Sequence, residues 1–425
     1  MSKITQIYAR EILDSRGNPT IEAVGVLDTG ATAIASVPSG ASTGKLEALE
    51  LRDNDPKRYV GKGVLKAIEN IHSKLAPALI GLDPTKQFEI DQALISLDNT
   101  QNKSAMGANA ILAVSTVVCK LGAIAAGMPL YMWIYELSKA LQVVDASLPT
   151  RIPTPLFNMI NGGLHGAGNL DFQEFFVIPA SSKTYSEAYR TSAEVYRSLN
   201  LALINRSAIH SVGDEGGFAP NLFTNADALE LNAEAITTAG YQLGQDFFLG
   251  LDTAASHFYK DGNYPIRDMS TALTTQALIN YYENINEKYR MTVLEDPLQE
   301  EDFKGWAQLT EKLGDKLLVV GDDLLVTNPE RVKKAIAEKS CNAILVKPNQ
   351  IGTITETLQV IKLARDANWK IVVSHRSGET NDWFIADFAV GVKAEFAKFG
   401  APARGERVAK YNRLLSIEAE INARK

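Results

Sequence analysis

Apolar and polar residues alternate over residues 3 to 37, around two turn signals, SRGNPT at 15–20 and DTGA at 28–31. Alternation of this period is typical of half-buried strands, so we expect an antiparallel meander. The segments GKGVLKAIENIHSKL, PTKQFEIDQALISL and 108–126 then carry apolar residues at helical spacing. Strands followed by helices predict an α+β domain over residues 1–140.

The most apolar stretch, ANAILAVSTVVCKLGAIAAGMP at 108–129, is long enough to span a membrane. Polar residues interrupt it at Asn109, Ser115, Thr116 and Lys120. Because polar side chains are costly within a bilayer, we expect a buried core helix and no membrane insertion.

A different pattern follows the proline-rich segment DASLPTRIPTP at 145–155, which we interpret as a hinge. Short apolar runs now alternate with segments of helix length. Six of these runs end on a polar residue, and these residues are Asp252, Glu295, Asp322, Lys347, His375 and Lys398. Their separations of 23 to 43 residues match the length of a βα unit, in which a helix returns the chain to the same end of a parallel sheet.

Two earlier apolar runs, PLFNMI at 155–160 and FQEFFVIP at 172–179, are separated by a glycine-rich loop. They bring the predicted strands of this region to eight, so we expect residues 141–425 to form a closed α/β barrel. Active sites of such barrels lie at the C-terminal ends of the strands. The six polar residues at the strand ends should therefore converge on one site.

Three of these residues, Asp252, Glu295 and Asp322, are carboxylates on strands that should be adjacent. Carboxylates at such short distances repel one another unless a cation lies between them. Oxygen ligands with room for water and substrate favour Mg²⁺ over zinc. The alternative is that each acid pairs with a lysine or an arginine.

The strand AILVK ends on Lys347, and Pro348 follows at once. Partial burial and neighbouring cations such as Lys398 would lower the pKa of Lys347, which would make it a base near neutral pH. The common alternative is a lysine that carries a strand out into solvent.

Three loops carry further candidate residues for the active site. SHRSGE at 374–379 places Arg376 and Ser377 directly after a strand, where barrels commonly bind phosphate. GDEGG at 213–217 places Glu215 between glycines that allow a ligand to approach closely, although an acidic turn is the alternative. PSGASTG at 38–44 is either a lid or a surface loop.

The 425 residues carry a net charge of -7, and no basic stripe is present, which argues against a general nucleic-acid surface. Cys119 and Cys341 lie in apolar runs and read as small buried hydrophobic residues. The first ten residues, MSKITQIYAR, lack the apolar region of a secretory signal. We expect a cytoplasmic protein.

The segments SRGNPT, PSGASTG, NKSAMGANAILAVS, INGG, QEF, GDEGG, EDP, GDDLLVTN, KPNQIG, SHRSGET and RVAKYN occur in the order in which the enolase family has them. The chain resembles that family over essentially its whole length. The resemblance implies a C-terminal (βα)8-type barrel of ββαα(βα)6 topology with an α+β N-terminal capping domain. It also implies reversible, Mg²⁺-dependent dehydration of 2-phosphoglycerate to phosphoenolpyruvate in glycolysis.

The resemblance also implies a role for each site residue. Lys347 would be the base, and Glu215, with Glu174 beside it, would protonate the departing hydroxyl. The residues implied to bind substrate are His165, Gln173, His375, Arg376, Ser377 and Lys398. Asp252, Glu295 and Asp322 would hold the first Mg²⁺, while Ser42 would ligate a second that arrives with the substrate.

The chain departs from the family pattern at a few positions. Phe399 replaces a threonine next to Lys398, which would either shift the lysine or change only its packing. Ser416 and Ala419 stand where charged residues of the dimer interface are usual. We nevertheless expect a homodimer or a dimer-based oligomer, because exposed ion pairs contribute little.

Two other functions remain open from the sequence. One is a different reaction of the same superfamily, which would share the metal and the proton abstraction but not the phosphate. The other is a binding protein without catalysis, displayed at a cell surface through Lys425. The presence of every site residue named above disfavours the second.

Overall fold

The computed structural model describes residues 2–40, 46–166 and 168–424. The chain begins with an antiparallel meander, which confirms the prediction from the alternating pattern. Its strands are β1 (Ile4–Leu13), β2 (Pro19–Leu27) and β3 (Thr32–Ser36). The pairing of β1 with β2 runs in one register from Gln6 opposite Val26 to Leu13 opposite Pro19, and it shifts by one residue between Ile4 and Gln6.

Helices cover one face of this meander. They are α1 (Leu65–Asn70), α2 (Ala76–Leu79), α3 (Gln87–Asp98), α4 (Ala108–Ala125) and α5 (Leu130–Ala140). A π-helical turn at Ile71–Leu75 joins α1 to α2.

Helix α4 packs directly on β2 and β3. A side-chain carbon at Gly25 would lie 2.6 Å from Leu121 Cδ1, so only glycine allows this close approach. By length and composition α4 could cross a membrane, but 83% of it is buried inside the protein. The expectation of a buried core helix is confirmed.

The rest of the chain forms one sheet curled into a barrel. Its strands are β4 (Thr154–Pro155), β5 (Phe157–Asn161), β6 (Glu174–Pro179), β7 (Phe247–Asp252), β8 (Met291–Glu295), β9 (Leu318–Gly321), β10 (Ala343–Val346), β11 (Lys370–Ser374) and β12 (Phe396–Lys398). The strands lie side by side in chain order from β5 to β12, and β4 pairs with β12. Because β4 almost continues into β5, the sheet nearly closes on itself.

Helices surround the barrel. They are α6 (Tyr185–Asn205), α7 (Asn225–Thr238), α8 (Thr275–Tyr289), α9 (Phe303–Leu313), α10 (Pro329–Glu338), α11 (Ile354–Asp366), α12 (Phe384–Gly391) and α13 (Gly405–Asn422). Strands β5, β6 and β7 pair antiparallel, and those from β7 to β12 pair parallel. The α/β fold and the ββαα(βα)6 order are therefore confirmed, whereas the proposed boundary at residue 140 stays a prediction.

The apolar runs are strands because they are buried on both faces. All four residues of β10 are fully buried, as expected for a parallel strand between sheet and helices. A compact cluster fills the barrel interior below the strand ends. It contains Leu156, Phe176, Ile178, Val293, Val320, Ala343, Leu345 and Val372.

An ion pair and backbone contacts join the N-terminal domain to the barrel. Asp382, which precedes α12, accepts hydrogen bonds from Lys120 Nζ at 2.7 and 2.8 Å. It also accepts one from the backbone N–H of Ser36 at 2.8 Å. Ser39 and Gly378 form an isolated antiparallel bridge, which places the start of the PSGASTG loop beside the SHRSGE loop.

Candidate active site

The sheet register brings the predicted residues to one rim. Glu174 of β6 lies opposite Asp252 of β7, and Asp252 lies opposite Glu295 of β8. Asp322, Lys347 and His375 each follow directly after the last residue of their strand. One cavity is lined by His165, Gln173, Glu174, Glu215, Asp252, Asp322, Lys347, His375, Arg376, Ser377 and Lys398, among others.

Lys398 lies among the carboxylates at the centre of this rim. Its Nζ donates to Glu295 Oε1 at 2.8 Å and to Asp252 Oδ2 at 3.0 Å, and it lies 3.3 Å from Glu174 Oε2. Burial alone would lower the pKa of Lys398, but the surrounding carboxylates hold that pKa well above its usual value. Lys398 is therefore a fixed positive charge.

Phe399 does not displace Lys398 from this position. The Phe399 side chain is fully buried, and its ring centroid lies 5.7 Å from that of Tyr411 on α13. Successive side chains of a strand point to opposite faces, so the larger residue packs against the helix layer while Lys398 stays in the cavity. Phe399 therefore packs against the helix layer while Lys398 contacts the carboxylates of the rim.

Lys347 is bound to a neighbouring carboxylate. Its Nζ contacts Asp322 Oδ2, and Gln350 Nε2 donates to the other oxygen of Asp322 at 3.3 Å. Burial lowers the pKa of Lys347, but the Asp322 carboxylate outweighs it and the net pKa is raised. The expectation of a lowered pKa is wrong for this arrangement, because an anion lies closer to the ammonium than any of the cations does.

The carboxylates have the chemistry of a site for a divalent cation. Glu295 Oε2 is buried and accepts no hydrogen bond from the described residues. Burial and the Asp252 carboxylate raise the pKa of Glu295 well above its usual range. An unpartnered oxygen and mutual repulsion are both relieved by a divalent cation, and oxygen donors are the ligands that Mg²⁺ prefers. The residues present therefore fit the ion.

Among the described residues, two groups of three have donor atoms within 4.8 Å of one another, and the predicted set of Asp252, Glu295 and Asp322 is not one of them. The two groups are Asp296, Asp322 and Asp323, and His165, Glu174 and Glu215. In the first group, Asp296 already accepts backbone hydrogen bonds from Asp322 at 3.0 Å and Asp323 at 2.8 Å. Asp296 thus fixes the turn after β9 and thereby the direction of Asp322.

Glu174 and Glu215 form a coupled acid pair beside two histidines. Burial and the nearby Glu215 raise the pKa of Glu174 to about 7. Although burial raises the pKa of Glu215, the two histidines hold it well below its usual value. Of the two carboxyl groups, Glu174 is therefore the one that is protonated more readily.

The histidines face this pair from two loops. His165 Nδ1 lies 3.2 Å from Glu174 Oε1 and 3.5 Å from Glu215 Oε1. His375 Nε2 lies 3.3 Å from Glu215 Oε2. Ser377 Oγ donates to Glu215 Oε1 at 3.1 Å. The GDEGG loop connects α6 and α7, as the resemblance implies, and delivers Glu215 to the rim.

The remaining predicted residues complete the lining. Arg376 is buried, and its Nη1 donates to Asn349 Oδ1 at 2.9 Å and to Glu47 Oε2 at 3.0 Å. Gln173 Nε2 donates to Asp252 Oδ2 at 3.3 Å. Ser42 lies outside the described residues, so its predicted contact with a metal stays a prediction.

Several residues of the site were missed by the sequence analysis. Glu47 and Asn349 orient Arg376, Gln350 orients Asp322, and Asn158 Nδ2 donates to Glu215 Oε2 at 3.3 Å. Asn349 and Gln350 lie within the motif KPNQIG, so their types could have been read as polar supports of Lys347. Nothing in the sequence distinguishes Glu47 from an ordinary surface acid.

Comparison with protein families agrees with this geometry. Residues 4–134 match the family model described as the enolase N-terminal domain. Residues 149–425 match the model described as the enolase C-terminal TIM barrel domain. Together the matches span nearly the whole chain and include every strand-end residue of the site. The chain belongs to the enolase family.

Proposed function

We propose that this protein catalyses the Mg²⁺-dependent, reversible dehydration of 2-phosphoglycerate to phosphoenolpyruvate, as the hydro-lyase of glycolysis. One observation carries the proposal. Groups suited to remove a proton, to protonate a leaving hydroxyl and to bind anions line the same cavity at the barrel rim. The reaction needs all three, because a proton and a hydroxide leave adjacent carbons of an anionic substrate.

Asp252, Glu295 and Asp322 are the residues that would hold the first Mg²⁺, and Ser42 would contribute to a second. When bound, the metal supplies positive charge that stabilises the carboxylate and the enediolate developing from it. Lys398 adds to this charge, since its ammonium is fixed among the same carboxylates.

Lys347 is the proposed base that takes the proton next to the substrate carboxylate. It can accept a proton only as a neutral amine, and the Asp322 contact disfavours that form. Catalysis therefore requires this contact to weaken. A base contributes most when its pKa lies near the working pH.

The Glu174 and Glu215 pair is the proposed acid. Hydroxide is a poor leaving group unless it gains a proton, and this pair holds a proton near neutral pH because the pKa of Glu174 is raised to about 7. Glu215 lies between the proton on Glu174 and the donors on His375 and Ser377. We assign proton delivery to the pair as a unit.

The substrate's phosphate and carboxylate would be bound by His375, Arg376, Ser377 and Lys398, with His165 and Gln173 lining the same cavity. Arg376 is the strongest candidate for the phosphate, because its guanidinium offers paired donors in a fixed plane. Glu47 and Asn349 already hold that plane in place.

A homodimer in the cytoplasm completes the proposal. The resemblance implies dimer ion pairs from Arg10 and Glu22 of the N-terminal sheet to the segment that holds Ser416 and Ala419, but in this chain Arg10 and Glu22 pair with each other at 2.6 Å. Ser416 Oγ donates to the backbone oxygen of Asn412 at 3.2 Å. A dimer of this chain would then depend on contacts other than those ion pairs.

The deciding experiment is the ultraviolet absorbance of phosphoenolpyruvate formed from 2-phosphoglycerate by the purified protein, with and without Mg²⁺. We expect product only with the metal. A folded protein that forms no product in either case would refute the proposal. Turnover of a non-phosphorylated hydroxy acid instead would identify a different reaction of the superfamily.

A further inference from the structure

Arg407, in the first turn of α13, is fully buried below the active site and was not among the predicted site residues. Its Nη1 donates to the backbone oxygen of Arg376 at 2.7 Å. Its Nη2 donates to the backbone oxygens of Ser377 at 2.6 Å and Asp214 at 2.9 Å. One guanidinium thus joins the SHRSGE loop to the GDEGG loop.

The same guanidinium contacts the ring of His375. Arg407 Nη1 lies 2.7 Å from His375 Nδ1. A guanidinium can only donate hydrogen bonds and stays protonated in proteins, so Nδ1 must be the acceptor. A neutral imidazole whose Nδ1 accepts carries its proton on Nε2. The charged form would place a second proton against the guanidinium and is disfavoured.

The surroundings of His375 leave this tautomer little freedom. The His375 backbone N–H donates to the oxygen of Lys398 at 2.9 Å. His375 is 3% exposed, and the charged groups near its ring are Glu215, Arg407 and Glu379. Burial, reinforced by Arg407 and opposed by the two glutamates, lowers the pKa of His375 to about 4.

The Nε2 end faces the acid pair. Nε2 lies 3.3 Å from Glu215 Oε2, yet it has no well-aligned hydrogen bond within the described part of the chain. A buried donor without a partner is costly, so this N–H is available to an oxygen bound between His375 and Glu215. The opposite tautomer would direct a lone pair at the carboxylate and repel it.

We propose that Arg407 is a positioning residue that fixes His375 as the neutral Nε2–H tautomer. The Nε2–H donor is then directed at the oxygen atom that Glu215 protonates. The role of Arg407 in catalysis rests on the proposed function, in which that oxygen is the departing hydroxyl. Arg407 does not line the cavity of the candidate site. It acts through His375 and through the two loops that it joins.

The tautomer can be measured without any assay of activity. The chain contains five histidines, so protein labelled with ¹⁵N only at histidine gives few signals, which single His→Gln variants assign. Two-bond ¹H–¹⁵N spectra of the unmodified protein with Mg²⁺ should show His375 with a protonated Nε2 and a bare Nδ1. A proton on Nδ1 at neutral pH would overturn the proposal.

Arg407→Gln tests the cause, because a glutamine oxygen can accept a proton from Nδ1. We expect the Nδ1–H form to rise from undetected to at least half of the population, and kcat to fall at least tenfold with KM changed less than threefold. Arg404→Gln is the matched control, since Arg404 donates to the backbone oxygens of Gly213 at 3.0 Å and Ser15 at 3.1 Å without contacting His375. It should leave the His375 pattern unchanged.

A folded Arg407→Gln protein with the original His375 pattern would show that Arg407 does not set the tautomer. If this variant does not fold, Arg407→Lys takes its place, because lysine is also a donor-only group and should retain the original His375 pattern. The spectrum of the unmodified protein still shows which tautomer His375 adopts. Failure of the proposed function is a separate result, because it would abolish product formation without altering these spectra.

Discussion

Replacement of Lys347 by alanine tests the central chemical step. The substitution removes the ammonium that contacts Asp322 and leaves the carboxylate with Gln350 Nε2 at 3.3 Å. If Lys347 is the base, the proton next to the substrate carboxylate can no longer be abstracted. The expected result is loss of proton exchange at that carbon while substrate still binds with Mg²⁺.

The expected effects on the reaction rate and on stability follow from the role of Lys347 in the transition state and in the folded protein. A positioned base contributes about 10²-fold to 10⁴-fold, which is roughly 3 to 5 kcal/mol of transition-state stabilisation. Removing one partner of a buried ion pair destabilises a fold by about 3 to 5 kcal/mol. The Lys347 and Asp322 side chains are 13% and 10% exposed, so water partly solvates the unpaired carboxylate. We therefore expect a loss of stability at the lower end of this range.

The assay is exchange of the substrate proton in D₂O, followed by ¹H NMR, with thermal unfolding of the same samples. Lys103→Ala is the control, because Lys103 of the N-terminal domain forms a comparably buried pair with Glu356 of α11 at 2.8 Å, and neither residue lines the cavity of the candidate site. It should lose stability but retain exchange. If folded Lys347→Ala protein exchanges within tenfold of the unmodified protein, Lys347 is not the base.

Three further changes test other parts of the molecule. Glu215→Gln should retain proton exchange but lose phosphoenolpyruvate formation at least a hundredfold by absorbance, and loss of both from a folded protein would contradict the assignment of the acid. Mg²⁺ at about a hundred times its Kd should stabilise the unmodified protein by about 2.7 kcal/mol in thermal unfolding; Glu295→Gln should lose most of this gain, and an unchanged gain would place the ion elsewhere. Burial raises the pKa of Asp382, but the contact with Lys120 outweighs burial, so the net pKa is lowered. The ion pair therefore stabilises the fold above about pH 4, and this stabilisation is lost as the pH falls through the folded-state pKa. Asp382→Asn should therefore cost about 2 kcal/mol at pH 7 in urea unfolding and less at pH 3, and equal costs at both would contradict the pair's role.

The strand-end residues could be predicted because local pattern determines them. A run such as AILVK has to be a buried strand, and its first polar residue has to leave the core at the rim. Parallel topology then brings Asp252, Glu295 and Lys347 together without any knowledge of side-chain contacts. The register of the sheet confirms this placement for Asp252 and Glu295.

The partners of these residues could not be predicted in the same way. Lys347 was expected to have a lowered pKa, but its nearest neighbour is the Asp322 carboxylate, 25 residues away in the chain. Glu47 reaches Arg376 across 329 residues, and Arg407 reaches His375 across 32. Each pKa and each hydrogen bond depends on distances of a few ångströms that no spacing along the chain encodes.

The sequence by itself determined the α/β barrel, its capping domain and the six polar side chains at the ends of the barrel strands. Hydrophobic burial is non-directional, so the order of apolar and polar positions is enough to specify which residues lie inside and which emerge. Only the tertiary structure decided which carboxylate contacts each lysine, that the pKa of Glu174 is raised beside Glu215, and that Arg407 contacts the ring of His375. Electrostatic and hydrogen-bonding energies change steeply with distance and direction, and those are properties of the folded chain alone.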